Sequence, residues 1–281
     1  MSLLCAALFC AVATTTFAKP APCPFKGNYS FFFWSPDTNT AGVGFFTVQM
    51  NPALGCRSGS VLPGGILDCN FEEGGAYEEF IDSGTVGIQS DGEGRMSITG
   101  SSNDGICDTG YDTLVLDISV VLGGKTVLFS SNGEPDQAGS DITLTGRADK
   151  CFAGQINGCY DFHFWTPDEA NVGDCTVCVN GANRVTGGQC QCNSFSSEYL
   201  SNIVSGGYRL GGNCESSTGY LWITTNSQEI CGTESSVAID FAVAAGGNEI
   251  VGACDPAEYI VNTSLANAGY DTACTFEGWK Q

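Results

Sequence analysis

Hydrophobic and polar positions alternate along most of the chain, and the first clear run is GNYSFFFWSPD at residues 27 to 37. Tyr29, Phe31 and Phe33 fall on one face and Asn28, Ser30 and Phe32 on the other, the period of two that a half-buried strand requires. Leu114, Leu116, Ile118 and Val120 share a face in the same way and close on Gly123-Gly124, a hairpin signal. Met96 with Ile98 repeats the pattern. Such runs predict eight strands, near residues 27–34, 42–49, 59–67, 84–89, 94–100, 112–121, 125–130 and 140–146.

The same pattern returns in the second half. Residues 158 to 168 read GCYDFHFWTPD, so Gly, Tyr, two Phe, Trp, Pro and Asp recur in order at an offset of 131, with Tyr160, Phe162 and Phe164 on the inner face. Gly64-Gly65 and Cys69 answer Gly187-Gly188 and Cys192, Ile106-Cys107 answers Ile230-Cys231, and LDISVVLGGK at 116 answers IDFAVAAGGN at 239. One module has been duplicated, which predicts a leader over residues 1–18, module one over 19–150 and module two over 151–281.

Eight short strands joined by tight turns make a meander, and closing it removes two exposed edges, so the expected fold is all-β, two tandem antiparallel barrels of about eight strands. A two-sheet sandwich shows the same periodicity and stays open as the alternative. Tyr77, Phe80 and Ile81, and in the second copy Leu200, Ile203 and Val204, follow i, i+3, i+4 spacing, which predicts a short helix capping each barrel.

A strand opening Gly27-x-Tyr29 or Gly158-x-Tyr160, followed by a meander with Asp-Gly or Gly-Gly hairpins, resembles lipocalin-like, calycin-type barrels. It is most similar to short tandem modules of that kind in secreted bacterial proteins. The Gly-x-Tyr pairs sit where lipocalins and avidins carry Gly-x-Trp in their first strand. The resemblance spans residues 25 to 265 and implies a fold rather than an activity.

Composition narrows the compartment and the partners. Residues 1–18 form an uncharged apolar run ending in small residues, Thr16 and Ala18, as a secretory signal peptide does, with no second apolar span or lipid-anchor tail after it. Of sixteen cysteines, Cys5 and Cys10 leave with that leader. The remaining fourteen, Cys23, Cys56, Cys69, Cys107, Cys151, Cys159, Cys175, Cys178, Cys190, Cys192, Cys214, Cys231, Cys254 and Cys274, suit disulfides in an oxidising, extracellular setting. Asn28 and Asn262 stand in glycosylation sequons. The net charge of −21 is spread over both modules and opposes binding to nucleic acid or anionic membranes.

Candidate chemistry is sparse. The single histidine, His163, alternates to the outer face, and copy one has Phe32 in its place, so no duplicated base–nucleophile pair rests on it. Asp117 and Asp240 match on an outer face, Asp37 and Asp168 follow Pro in turns, and Glu72, Glu73, Glu78, Glu79 and Asp82 read as a solvated loop. SDGEG at residues 90–94 reads as a hairpin, with Gly92 and Gly94 at positive φ, rather than a calcium loop. Cys175-x-x-Cys178 with Cys190-x-Cys192 has near-zinc spacing, yet an exported chain favours structural disulfides there, and no metal or cofactor is expected.

The residues point to a secreted, non-enzymatic binding or surface-interaction protein whose partner is a small apolar ligand or an extracellular surface component. The alternative is a small-ligand carrier, with Tyr29, Phe31, Phe33, Tyr160, Phe162 and Phe164 lining the barrels. A third reading, a hydrolase using paired carboxylates, requires them to be placed alike in both barrels and to face inward.

Overall fold

Alternation becomes strand through both modules. The computed structural model describes residues 23–35, 40–71, 76–101, 106–108, 112–131, 144–151, 154–166, 171–194, 197–210, 218–226, 236–254 and 275–281. The expected leader at residues 1–18, Asn262, Cys214, Cys231, Cys274, Asp37, Asp168, Glu72 and Glu73 lie outside the described residues, as does the side chain of Cys254.

Module one is β1 (Gly27–Ser35), β2 (Thr40–Met50), β3 (Ser58–Phe71), β4 (Ala76–Ile88), β5 (Glu93–Gly100), β6 (Thr113–Val121), β7 (Thr126–Ser131) and β8 (Thr145–Lys150). Each strand pairs antiparallel with the next, and β8 returns to β1 with Phe31 opposite Ala148, closing the barrel. Module two repeats this as β9 (Gly158–Thr166), β10 (Asn171–Asn180), β11 (Arg184–Ser194), β12 (Ser197–Leu210), β13 (Thr218–Thr225), β14 (Ser236–Ala244), β15 (Glu249–Cys254) and β16 (Thr275–Lys280), with β16 closing on β9. The sandwich alternative is thereby set aside. Closure satisfies every strand edge within its own module.

No α-helix occurs among the described residues, only single 3-10 turns at Pro52–Leu54 and Ile106–Asp108. The two expected capping helices are instead the opening halves of β4 and β12. Their i, i+3, i+4 spacing arises because exposed apolar residues of the outer face stand next to inward ones on a regularly alternating strand, and a β-bulge follows in each, between Ile81 and Ser83 and between Ile203 and Ser205. Ile81 and Ile203 point into the cores, whereas Phe80, Leu200 and Val204 are exposed. Two smaller expectations also shift. The last strand of module one runs over Thr145–Lys150, with the small residues Gly146 and Ala148 facing in, and residues 140–143 of the expected strand lie outside the described residues. Gly92 has φ of 98°, but Gly94 is ordinary strand, and a side chain there would strike the Gly87 carbonyl.

Each interior is packed with aromatics. Tyr29, Phe31 and Phe33 are buried in one core, Tyr160 and Phe162 in the other, with Phe164 packed against the latter. Space for the rings comes from small residues on the neighbouring strand. Gly42 and Gly44 lie under Phe33 and Phe31, where any Cβ would collide with ring carbons. Burial of such rings adds to the apolar driving force of each barrel.

Candidate functional site

The ends of barrel one differ. At the tight-turn end, Phe25 is fully buried and meets the Tyr29 ring edge-on at 5.1 Å between centroids, and the Tyr29 hydroxyl donates to Gly124 O at 2.6 Å. Burial pushes that hydroxyl up to about 12. The opposite end holds an apolar cavity of about 30 Å³ lined by Phe31, Phe33, Phe129, Ile106, Leu114 and Leu144 among others, with Ser35 and Thr40 as its hydroxyl-bearing members. That volume accepts a water molecule and falls well short of the several hundred Å³ of a small-ligand pocket. Of the six aromatics expected to line the barrels, Phe31 and Phe33 border this cavity, while Tyr29 belongs to the plug at the other end.

The carboxylates expected on the outside are there. Asp117 pairs with Arg95 at 3.2 Å in solvent, and Asp240 sits opposite Tyr220, out of phase with the inward Ile239 and Phe241. His163 is exposed and its Nδ1 lies 2.8 Å from Asp174 Oδ1. One acidic residue departs from expectation. Glu78, Glu79 and Asp82 belong to β4 rather than a loop, and Glu79 points inward at 5% exposure, its Oε2 accepting from the Cys107 N–H at 3.2 Å. It fits because Gly100 stands opposite the β4 bulge, and a Cβ there would overlap the Glu79 carboxylate. In copy two the matching inward pair is Ser201 and Thr225, so the volumes exchange between the two positions.

The near-zinc cysteines are disulfide-bonded. Cys175 lies opposite Cys190 across β10 and β11, and Cys178 opposite Cys159 across β10 and β9, and these are the bridged pairs. Cys192 is also disulfide-bonded. In barrel one, Cys23–Cys56 ties the segment before β1 to the β2–β3 turn, and Cys69–Cys107 ties β3 to the 3-10 turn after β5. Among the described residues no group of His, Cys, Asp and Glu is arranged to hold a metal ion. Several bridges in one chain point to an oxidising compartment. Asn28, the described sequon residue, is half-buried in β1 and its side-chain oxygen accepts from Thr47.

A feature absent from the sequence expectations is the seam between the barrels. Ala41, Val43 and Phe45 face outward from β2, yet are buried, as are Ala242 and Ala244 on β14 and Val251 on β15. They belong to neither core, and β1, β2 and β8 pack against β14 and β15. Ser30 Oγ donates to Val243 O across the seam at 3.3 Å. At its edge Arg147 makes a forked contact with Glu249, 2.6 Å to Oε1 and 2.8 Å to Oε2, and holds Asp149 at 2.6 Å. Asp149 also accepts from Thr126 Oγ1 at 2.5 Å. Burial opposes the Arg147 charge, but Glu249 and Asp149 outweigh it and raise the guanidinium's pKa. Glu277 stands 3.9 Å from Arg147, and burial together with its hydrogen bond to Glu249 pushes its carboxyl up to about 7. Arg147 and Glu277 occupy matching positions in the two copies, opposite Phe32 and His163, and that charge reversal is one trace of the seam in the sequence.

The molecule is a disulfide-rich pair of duplicated eight-stranded barrels, with one small apolar cavity described, outward carboxylates and a charged seam. No protein-family model matches the chain, and no curated protein matches it.

Proposed function

We propose that this is a secreted, disulfide-stabilised protein of lipocalin-like barrels that acts by binding through its surface and not by catalysis. The supporting observation is the placement of its acids. The carboxylates that match between the modules, Asp117 and Asp240, face outward, where paired acid and base groups have no enclosed substrate between them. Interiors filled by Tyr29, Phe31, Tyr160 and Phe162 leave the outer faces as the contact surfaces, and duplication supplies two of them. A small-ligand carrier is the second reading, favoured by the apolar cavity of barrel one with Ser35 and Thr40 at its border. That cavity must expand by rotation of side chains to take more than a few atoms.

Native mass spectrometry of the protein secreted from its own leader, compared with the same sample denatured, separates the two. Bare polypeptide supports the surface-binding reading. A small molecule released on denaturation overturns it in favour of the carrier. Turnover of a panel of glycosides or esters that survives purification to constant specific activity would sink both.

A further inference from the structure

The seam places three carboxylates, Asp149, Glu249 and Glu277, around the single guanidinium of Arg147, with Asp149 and Glu249 almost wholly removed from solvent. One cation cannot balance three anions in a partly desolvated site, so the cluster is at its least strained with one carboxyl neutral. Glu277 is the member suited to carry the proton. It is the most exposed of the three, the farthest from Arg147, and hydrogen-bonded to Glu249. From β9 its direct cross-strand neighbour is His163, itself engaged by Asp174 of β10, and Asp161 of β9 lies two residues on, opposite Trp279. From barrel one it faces Arg147 and Asp149 of β8, and from β15 it faces Glu249. Its direct neighbour on β15 is Val251, and the charged groups around it other than Arg147 and the histidine are acids.

We infer that the seam is a proton-operated latch, in which Glu277 holds a proton while the barrels are docked and its ionisation loosens barrel one from barrel two. Protonated, Glu277 donates to the Glu249 carboxylate and leaves Arg147 shared by two anions. Ionised, it turns the Glu249 contact from donor–acceptor into like-charge repulsion, and the forked Arg147–Glu249 pair that bridges the barrels takes the load. Opening uncovers Ala41, Val43 and Phe45 on one side and Ala242, Ala244 and Val251 on the other.

Hydrogen–deuterium exchange of the full, oxidised chain tests this between about pH 6 and about pH 8.5, with rates corrected for intrinsic base catalysis. Peptides from β2, β14 and β15 are expected to exchange about tenfold faster at the higher pH, while β5 and β11 stay unchanged. Glu277→Gln, neutral throughout, should hold the slow rate at both pH values. His163→Gln should keep the wild-type response, which assigns the titration to the carboxyl. Equal corrected rates at both pH values, or a Glu277→Gln variant that responds as the wild type does, overturns the latch. If Glu277→Gln does not fold, small-angle scattering of the wild type decides, and an unchanged radius of gyration across the range overturns it equally.

Discussion

The Tyr29 hydroxyl donates to the carbonyl of Gly124 at 2.6 Å, and in the second copy Tyr160 donates to Gly247 at 2.7 Å. The opening strand of each barrel is thus pinned to the hairpin between its sixth and seventh strands. Those hairpins need left-handed residues in succession, Leu122-Gly123-Gly124 and Ala245-Gly246-Gly247, and the tyrosine uses a carbonyl that the turn aims inward. Tyr29→Phe keeps the ring and leaves the carbonyl unpaired. A loss of about 1–3 kcal/mol is expected, with a similar loss for Tyr160→Phe, read from denaturant unfolding with the disulfides intact. Loss below the error of the measurement for both would show that the bond is not a stabilising anchor.

The same hydroxyl gives a pH dependence. The Tyr29 pKa rises from about 10 unfolded to about 12 in the fold, because burial disfavours the phenolate. Stability from this group is therefore complete below about pH 10 and drains away as pH climbs through about 12. Phenolate absorbance should show a late-titrating tyrosine that Tyr29→Phe removes. A titration in which every tyrosine ionises near its free value contradicts the assignment.

The inward pairs Glu79 with Gly100 and Ser201 with Thr225 predict coupling. Gly100→Thr alone drives a side chain into a buried carboxylate and should cost about 2–4 kcal/mol. Adding Glu79→Ser should return most of that loss, since the double variant copies the arrangement of barrel two. A double-mutant cycle reads the coupling directly. Strict additivity would mean that the two copies do not exchange volume at this place.

Strand count, the duplication and the inner aromatic faces were legible because period-two alternation reports burial on a single side, and Tyr29, Phe31 and Phe33 obey it. The expected helices are strands because apolar residues also stand on the outer face, and exposed Phe80 beside buried Ile81 mimics a helical face. Glu79 looked solvated because its burial depends on a glycine on the neighbouring strand, which spacing along one strand does not reveal. The seam was hidden for a related reason. Val43 and Phe45 lie in the run AGVGFF, whose apolar residues on both faces do not say which face meets a second barrel, and Arg147 finds Glu249 at a separation of 102 residues.

The cross-strand bridge Cys175–Cys190 closes a loop spanning 15 residues within one hairpin. Replacing both cysteines with alanine should cost about 3 kcal/mol, chiefly by freeing the unfolded chain. Zinc added to the purified protein should leave its thermal midpoint unmoved, because the sulfurs are engaged with each other. Stoichiometric zinc uptake by the oxidised protein would instead restore the metal reading of these residues.

The seam is also a heterologous contact between homologous modules, with barrel one offering β1, β2 and β8 and barrel two offering β13, β14 and β15. Contacts of this kind propagate into filaments when the unused copies of both faces keep the same chemistry. Here they do not. On barrel two, the positions matching Ser30, Phe32, Val43, Phe45 and Arg147 hold Asp161, His163, Asp174, Thr176 and Glu277. On barrel one, Ser119, Val121, Thr126 and Leu128 stand where barrel two has Ala242, Ala244, Glu249 and Val251. A second copy approaching in the seam geometry would set a hydroxyl against Glu277 where the seam sets Glu249 against Arg147, and would bury Asp161 and Asp174 without partners of opposite charge. Sedimentation equilibrium should therefore show a single monomer mass up to about 100 μM. Asp174→Val with Thr176→Phe, which rebuilds the apolar socket, should introduce concentration-dependent association, and a wild type that already associates head to tail would refute this account of the divergence.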